Sequence, residues 1–402
     1  MISTSTTVTT SNAVIENRLT SFLYILACIT LAAQVLNRGG IVSALIAIIF
    51  ALTFVLLGVT WIREFAGIDL LAIVILLFSF ISIFAGTLSE RSNVSFEYMR
   101  KWIMFSSTIA FLTSAMKFRA DQPLTKLVIR GSDILTLFFI EEYFRQGRAV
   151  FYLNGLYTRY LCFHFTNPNL TALFLLCIAM MEITGIANAK KFIAKFAHAA
   201  MAAALSYFVY QTQSRNSLLV LILFAAVFAF VQIFRKPEYR TSKILSALIA
   251  VYPLLFVLIY LKLIDVVSKE SIFAPLVEEG KSLNSREQIW TSTVRLFQQS
   301  PVIGAYYQMS GGTGISQAHN TCLDILVSYG TVVFVLVVVL LVRLLYEKGV
   351  VLSNGRFLYL AAFACLLMAG SGEAALFSGG LCIQIMVGIF LTMMRAEESH
   401  AD

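Results

Sequence analysis

Apolar runs close to twenty residues long alternate with short polar links along most of the chain. Twelve such runs are visible, at 19–36, 41–60, 68–88, 102–118, 124–144, 167–186, 193–211, 216–234, 243–263, 320–345, 355–372 and 377–394. Roughly twenty apolar residues in a helix match the hydrocarbon thickness of a bilayer. The runs are continuous rather than alternating, so they predict helices and not the strands of a barrel. The fifth run is the least apolar, because Lys126, Arg130 and Asp133 interrupt it. It is kept as a span because the sidedness of the later links depends on it. The expected fold is therefore an all-α polytopic membrane protein of about twelve transmembrane helices with one large external loop. In order, the chain divides into a disordered cytoplasmic tail (1–18), a nine-span region (19–263), a polar external loop (264–319), a three-span region (320–394) and a cytoplasmic tail (395–402).

Composition agrees with that pattern. Hydrophobic residues make up 59% of the 402, charged residues 13%, and the mean hydropathy is +0.82. A soluble domain carries about a quarter charged residues. The net charge of +8 is not laid out as a stripe, so no nucleic-acid partner is expected. Basic residues cluster in the links read as cytoplasmic: Lys190, Lys191 and Lys195, then Arg235, Lys236, Arg240 and Lys243, then Arg343, Lys348 and Arg356. Such clusters in short loops orient the bundle. By count alone the bias is small, because the external links carry Arg38, Arg91, Arg100, Arg215, Arg286 and Arg295 among others. Most of these read as solvated loop charge; some can hold an anion. The tail before the first run has only Arg18 as a basic residue, unlike a cleaved signal peptide. The six cysteines mostly sit in apolar runs without metal-ligand spacing and read as small apolar residues.

The external links hold the candidate chemistry. Asn167-Pro168-Asn169 opens the sixth span and reads first as an ordinary helix start, a cap and a first-turn proline; the Asn169 amide is the one group it could also offer to a sugar or phosphate. Ser214-Arg215 forms a tight turn between the seventh and eighth spans; an arginine there either snorkels to lipid headgroups or, beside free helix N–H groups, makes an anion site, and the second reading is favoured. In the large loop, Ser285 and Gln288 have capping-box spacing and predict an amphipathic helix over 286–299, ended by Pro301. Trp290, Val294 and Phe297 share a face, and Arg286 shares it too. Arg295, nine residues on, lies about half a turn away and faces water. A Gly-rich stretch follows with Tyr306 and Tyr307, suited equally to sugar stacking and to an ordinary surface loop. It ends in His319-Asn320, an imidazole able to take a proton near neutral pH followed by a helix cap. His198 lies within a run and His400 in the tail; His164, beside the Asn-Pro-Asn turn, is the one rival. Glu373, at the edge of the bilayer in the last external turn, needs a partner, either an external arginine or an acceptor it orients.

In this order, over about 165–375, these stretches resemble the O-antigen ligase and polymerase superfamily. The matching features are Asn167-Pro168-Asn169, Ser214-Arg215, Arg286 with Trp290, Pro301 to Gly304, and His319-Asn320, with Glu373 where relatives often carry an acidic residue. The first five spans match by hydropathy alone. The resemblance implies a GT-C-like, inverting membrane glycosyltransferase in the bacterial inner membrane, its active site on the periplasmic face. The donor it implies is a glycan on undecaprenyl pyrophosphate; the acceptor is a sugar hydroxyl, on another glycan for a polymerase or on lipid A core for a ligase. Arg215 and Arg286 then hold the pyrophosphate and His319 deprotonates or orients the acceptor, with Asn169, Tyr306, Asn320 and Glu373 binding substrate. No cofactor and no metal are expected, since no Asp-x-Asp or external carboxylate cluster is present. Membrane lipids are partners, and a chain-length regulator is a further one such an enzyme can have. The modest loop leans toward polymerase. Two other classes compete: a lipid-linked oligosaccharide flippase, against which the lack of internal repetition counts, and a membrane assembly factor whose arginines serve only topology.

Overall fold

The structure is a computed structural model of the chain, and it describes residues 4–89, 96–117, 120–146, 150–152, 159–165, 167–234, 239, 242–267, 281–305, 318–348, 352–373, 376–377 and 381–394. The first nine helices are α1 (Thr4–Val35), α2 (Gly39–Arg63), α3 (Gly67–Ser89), α4 (Phe96–Ala115), α5 (Gln122–Gln146), α6 (Pro168–Asn188), α7 (Phe192–Gln211), α8 (Arg215–Ile233) and α9 (Lys243–Val267). The amphipathic helix of the loop is α10 (Lys281–Gln299), followed by α11 (Thr321–Lys348), α12 (Asn354–Ala369) and α13 (Leu381–Met393). Among the described residues, eight helices are long and apolar enough to cross a membrane: α1 to α3, α6 to α9 and α11. α12 and α13 carry shorter apolar stretches, and α4 and α5 are more polar. The protein is thus an all-α, multi-pass membrane protein.

α6 is the central helix. Every residue from Thr171 to Gly185 is buried, as expected of a helix apolar on all sides. α5, α7, α8 and α12 surround it. The first strand pair, β1 (Val150–Tyr152) and β2 (Arg159–Leu161), forms an antiparallel hairpin before α6 that the hydropathy pattern does not show.

Two boundaries differ from expectation. The polar stretch 1–18, expected as a disordered tail, is helical from Thr4 onward as the start of α1. Glu16 is fully buried on an ion pair with Arg63 at the end of α2, and Asn17 accepts from the Asp121 N–H at 3.3 Å. The partners lie far away in sequence, so local polarity misreads this segment as solvated. α10 begins at Lys281 rather than at Arg286. A capping box marks where a helix can begin, not where it must, and here the helix continues back past Ser285 by a further turn.

The step from α10 back into the bundle is built from two glycines. α11 is kinked at Gly330, whose φ is 80° and ψ 178°. In a regular helix the Thr331 N–H donates to the Val327 carbonyl. Here Thr331 donates instead to the Pro301 carbonyl at 2.8 Å, and the Val327 carbonyl accepts from the Ala305 N–H at 2.6 Å. The turn Pro301–Gly304 therefore inserts into the gap and satisfies both groups the kink releases. A Cβ at Gly330 would lie 2.0 Å from the Val302 oxygen, and one at Gly304 (φ 84°) would lie 2.6 Å from the Ser328 carbonyl. The Pro-x-x-Gly spacing thus has a mechanical meaning: it locks the end of α10 to α11.

Candidate active site

Three chain segments converge on Glu373 in the link after α12: the start of α6, α10 and the turn before α11. Glu373 is 8% exposed. Its Oε1 accepts from Asn169 Nδ2 at 2.7 Å and from Arg286 Nη2 at 3.0 Å. Its Oε2 lies 3.3 Å from His319 Nδ1. A carboxylate in this setting is costly without partners, and here each oxygen has one or more.

Each partner is placed by a local device. Asn167 caps α6, its side chain accepting from the Asn169 N–H at 2.8 Å, with Pro168 in the first turn. The cap sets the first turn from which the Asn169 amide reaches Glu373. Arg286 lies on α10 one turn before Trp290, which is 1% exposed and donates from Nε1 to the Ala318 carbonyl at 3.0 Å. Trp290 also meets Phe256 and Tyr260 of α9 edge-on, so α10 is pinned at this point. The buried face comprises Trp290, Thr293 and Leu296, with Val294 and Phe297 half-buried beside them; Arg295 is exposed. His319 has φ 48°, a left-handed conformation uncommon for a side-chain-bearing residue. The Ala318 carbonyl bond to Trp290 and the Ala318 N–H bond to Asp324 Oδ1 (3.3 Å) hold the chain just before it. With Nδ1 facing Glu373, Nε2 is the nitrogen left for a substrate hydroxyl.

The last turn, Gly370–Glu373, is fastened from three sides. Asn216 Nδ2 donates to the Ala369 carbonyl at 2.7 Å, and Ser371 Oγ lies 3.4 Å from Asn216 Oδ1. The Thr321 N–H donates to the Gly370 carbonyl at 2.8 Å, and Thr321 Oγ1 to the Glu373 carbonyl at 3.1 Å. Gly372 lets both side chains approach, since a Cβ there would lie 2.9 Å from Asn216 Nδ2 and 3.2 Å from Arg286 Nη1. Asn216 and Arg286 therefore flank one glycine.

Arg215, the first residue of α8, is exposed and makes no hydrogen bond or ion pair with any described residue. It adjoins Asn216, so its backbone borders the cluster, and among the described residues its guanidinium has no partner. Ser214 is the residue before the helix but makes no capping bond; its Oγ donates to Ser217 Oγ at 3.1 Å.

Asn320 requires a correction. It was expected to contact substrate, but it is fully buried and its amide is consumed. Oδ1 accepts the Leu323 N–H at 3.0 Å, and Nδ2 donates to the Pro253 and Ser371 carbonyls at 2.8 and 3.0 Å. It caps α11 and ties it to α9 and the last turn, leaving no donor for a ligand. Tyr306 and Tyr307 lie outside the described residues. His164 sits at φ 58° with its carbonyl accepting from Gln34, and it is not bonded to Glu373. Asn216 was not foreseen; its only sequence signal was its place after the Ser-Arg turn. All six cysteines are free, and burial pushes the Cys162 thiol up to about 11, which keeps it protonated.

A carboxylate-held imidazole and an arginine paired at the carboxylate, with a second arginine next to Asn216 in the chain, form a polar cluster where the amphipathic helix α10 meets helix ends of a multi-pass membrane protein. The family model described as O-antigen ligase matches residues 200–338, which supports the resemblance to the O-antigen ligase and polymerase superfamily. Arg215, Arg286 and His319 fall inside that match, whereas Asn169 and Glu373 fall outside it and meet the others only in the fold. No curated protein and no solved structure matches the chain.

Proposed function

We propose that the protein is a bacterial inner-membrane glycosyltransferase of the O-antigen polymerase or ligase type, acting on a glycan carried by undecaprenyl pyrophosphate at the periplasmic face. The observation that carries this reading is the convergence of Asn169, Arg286 and His319 on Glu373, with Arg215 next in the chain to Asn216, which fastens the same turn. Glu373 accepts from the Nδ1–H of His319 and fixes the tautomer that leaves Nε2 as a base. His319 Nε2 takes the proton of the acceptor hydroxyl as its oxygen attacks the anomeric carbon. The bond from that carbon to the phosphate oxygen breaks, and the negative charge leaves with the pyrophosphate. Arg286 and Arg215 stabilise that charge. Attack opposite the leaving group inverts the anomeric centre. The modest loop favours a glycan acceptor over lipid A core.

Removing any one of Arg215, Arg286 or His319 by substitution with alanine is expected to lower transfer about a thousandfold, the scale of losing a charge-stabilising or acid–base group. The measurement is incubation of the purified protein with undecaprenyl-pyrophosphate glycan, with and without lipid A core, reading product size. A ladder without core identifies a polymerase; a single addition to core identifies a ligase. Undiminished transfer in all three variants would overturn the assignment.

A further inference from the structure

A second cluster of ionisable side chains sits inside the bundle, and the transfer chemistry makes no use of it. Asp133 of α5, Glu182 of α6 and His198 of α7 each turn one ligand atom inward, and the three atoms lie within 4.8 Å of one another. His198 Nδ1 is 2.7 Å from Glu182 Oε2 and 3.5 Å from Asp133 Oδ1. Glu182 lies thirteen residues beyond Asn169 on the same helix, about 20 Å along its axis, so the two clusters are separate.

Four features of the cluster suit a cation rather than a simple ion pair. First, Glu182 is fully buried, and its Oε1 is held by the Ser132 hydroxyl at 2.5 Å and the Thr136 hydroxyl at 3.3 Å. Those two donors orient the carboxylate and direct Oε2 at the imidazole, as outer partners orient metal ligands. Second, Asp133 Oδ1 is buried and accepts no hydrogen bond from any described residue. Third, no lysine or arginine among the described residues pairs with either carboxylate, and Lys126 and Arg130 of the same helix are exposed. A protonated imidazole balances one of two negative charges, whereas a divalent ion balances both. Fourth, Gly185 makes room for the ring: a Cβ there would lie 2.9 Å from His198 Nδ1. Access is through Asp133 and His198, whose side chains are 31% and 13% exposed.

We propose that Asp133, Glu182 and His198 form a binding site for a divalent transition-metal ion of the Zn²⁺ class, which staples α5 and α7 to the central helix. One imidazole and two carboxylates are borderline donors suited to Zn²⁺ or Co²⁺, whereas Ca²⁺ and Mg²⁺ favour all-oxygen sets. Bonds of about 2.0–2.2 Å to a tetrahedral ion place its ligands roughly 3.3 Å apart. Small side-chain shifts reach that spacing from 2.7 and 3.5 Å and leave a fourth position for water. The inference is independent of the glycosyl-transfer reading.

The test uses the full-length protein, purified in detergent without a polyhistidine tag and stripped with a chelator, then titrated with Co²⁺ and followed by visible absorbance. One saturable equivalent, displaced by Zn²⁺, is expected. Asp133→Asn and His198→Ala are expected to weaken binding at least about a hundredfold, and Ser132→Ala, which touches no ligand atom of the ion, about tenfold. If His198→Ala does not elute as a folded species, Ser132→Ala and the partly exposed Asp133 carry the test. No saturable Co²⁺ binding by the wild type, or equal binding by all variants, overturns the proposal and leaves a proton shared between His198 and Glu182.

Discussion

Two carboxylate–histidine pairs among the described residues, Glu373 with His319 and Glu182 with His198, have contrasting charged neighbours. At the outer pair, Glu373 and His319 are joined by Arg286, and Arg215 precedes Asn216, which fastens the same turn. At the inner pair, Glu182 and His198 are joined by a second carboxylate, Asp133, with no arginine or lysine paired to them among the described residues. On the functions proposed, an arginine beside the first pair suits an anionic leaving group, and a second carboxylate beside the other suits a cation. Their supports differ as well. The outer pair is assembled from helix starts and turns, where backbone groups and chain direction are adjustable. The inner pair is carried on the faces of three packed helices. A transferase must admit and release a large substrate, and turns at helix ends are the parts of this fold able to accommodate it.

The sharpest way to break the comparison is to remove the outer carboxylate's charge and keep its shape. Glu373→Gln preserves a hydrogen-bond acceptor for Asn169 but no longer neutralises Arg286 or selects the His319 tautomer. Transfer is expected to fall about a hundredfold, at the lower end of what an acid–base group contributes. The check is initial rates at saturating acceptor over a pH range. If the role of Glu373 is to set His319, the pH profile moves together with the rate. A lowered rate with an unmoved profile would make Glu373 merely a structural tie.

A smaller change separates charge from geometry. Arg286→Lys keeps the positive charge but loses the planar fork that can serve Glu373 and a phosphate together. We expect about a tenfold loss of transfer, restored in no part by raising ionic strength. Full activity would mean that a point charge suffices at this position and that the bidentate reading is wrong. Asn216→Ala belongs at the same level or below. Asn216 Nδ2 anchors the Ala369 carbonyl, so its loss loosens the Gly372 turn against Arg286 without removing a charge. A loss of a few-fold, chiefly in KM, is expected, because positioning of the donor suffers before the chemistry does.

What the sequence disclosed and what it withheld divide along the same line. The helices were legible because apolar runs carry their own length, and Asn167, Pro168 and the phase of α10 were legible because caps and helical periodicity are local. The order of Arg215, Arg286 and His319 was legible through the resemblance. Glu373 as the meeting point was not, because it lies more than fifty residues from His319 and two hundred from Asn169, and no local rule links them. Asn320 was misread as a ligand for a related reason. Of the three side-chain bonds of this capping asparagine, only the one to Leu323 is local; the other two go to Pro253 and Ser371. Asp133 was seen as an interruption of a span, although it faces Glu182 and His198 across two other helices. Tail residues 1–18 were misjudged in the same way, since Glu16 finds Arg63 only after folding.

The smallest expected effect tests the phase of α10 itself. Arg286 and Arg295 are nine residues apart, about half a turn around the helix. Trp290 fixes the rotation of α10 by packing against α9 and donating to Ala318, so Arg286 must point at Glu373 and Arg295 must point away. Arg295 is exposed and forms no ion pair among the described residues. Arg295→Ala should therefore change transfer by less than about twofold, the range of a surface charge with no fixed partner. The variant is best measured beside Arg286→Lys in one preparation. If Arg295→Ala costs as much as Arg286→Lys, the helix turns or slides when the donor binds, and the face that Trp290 buries in the free protein is not the face presented to substrate.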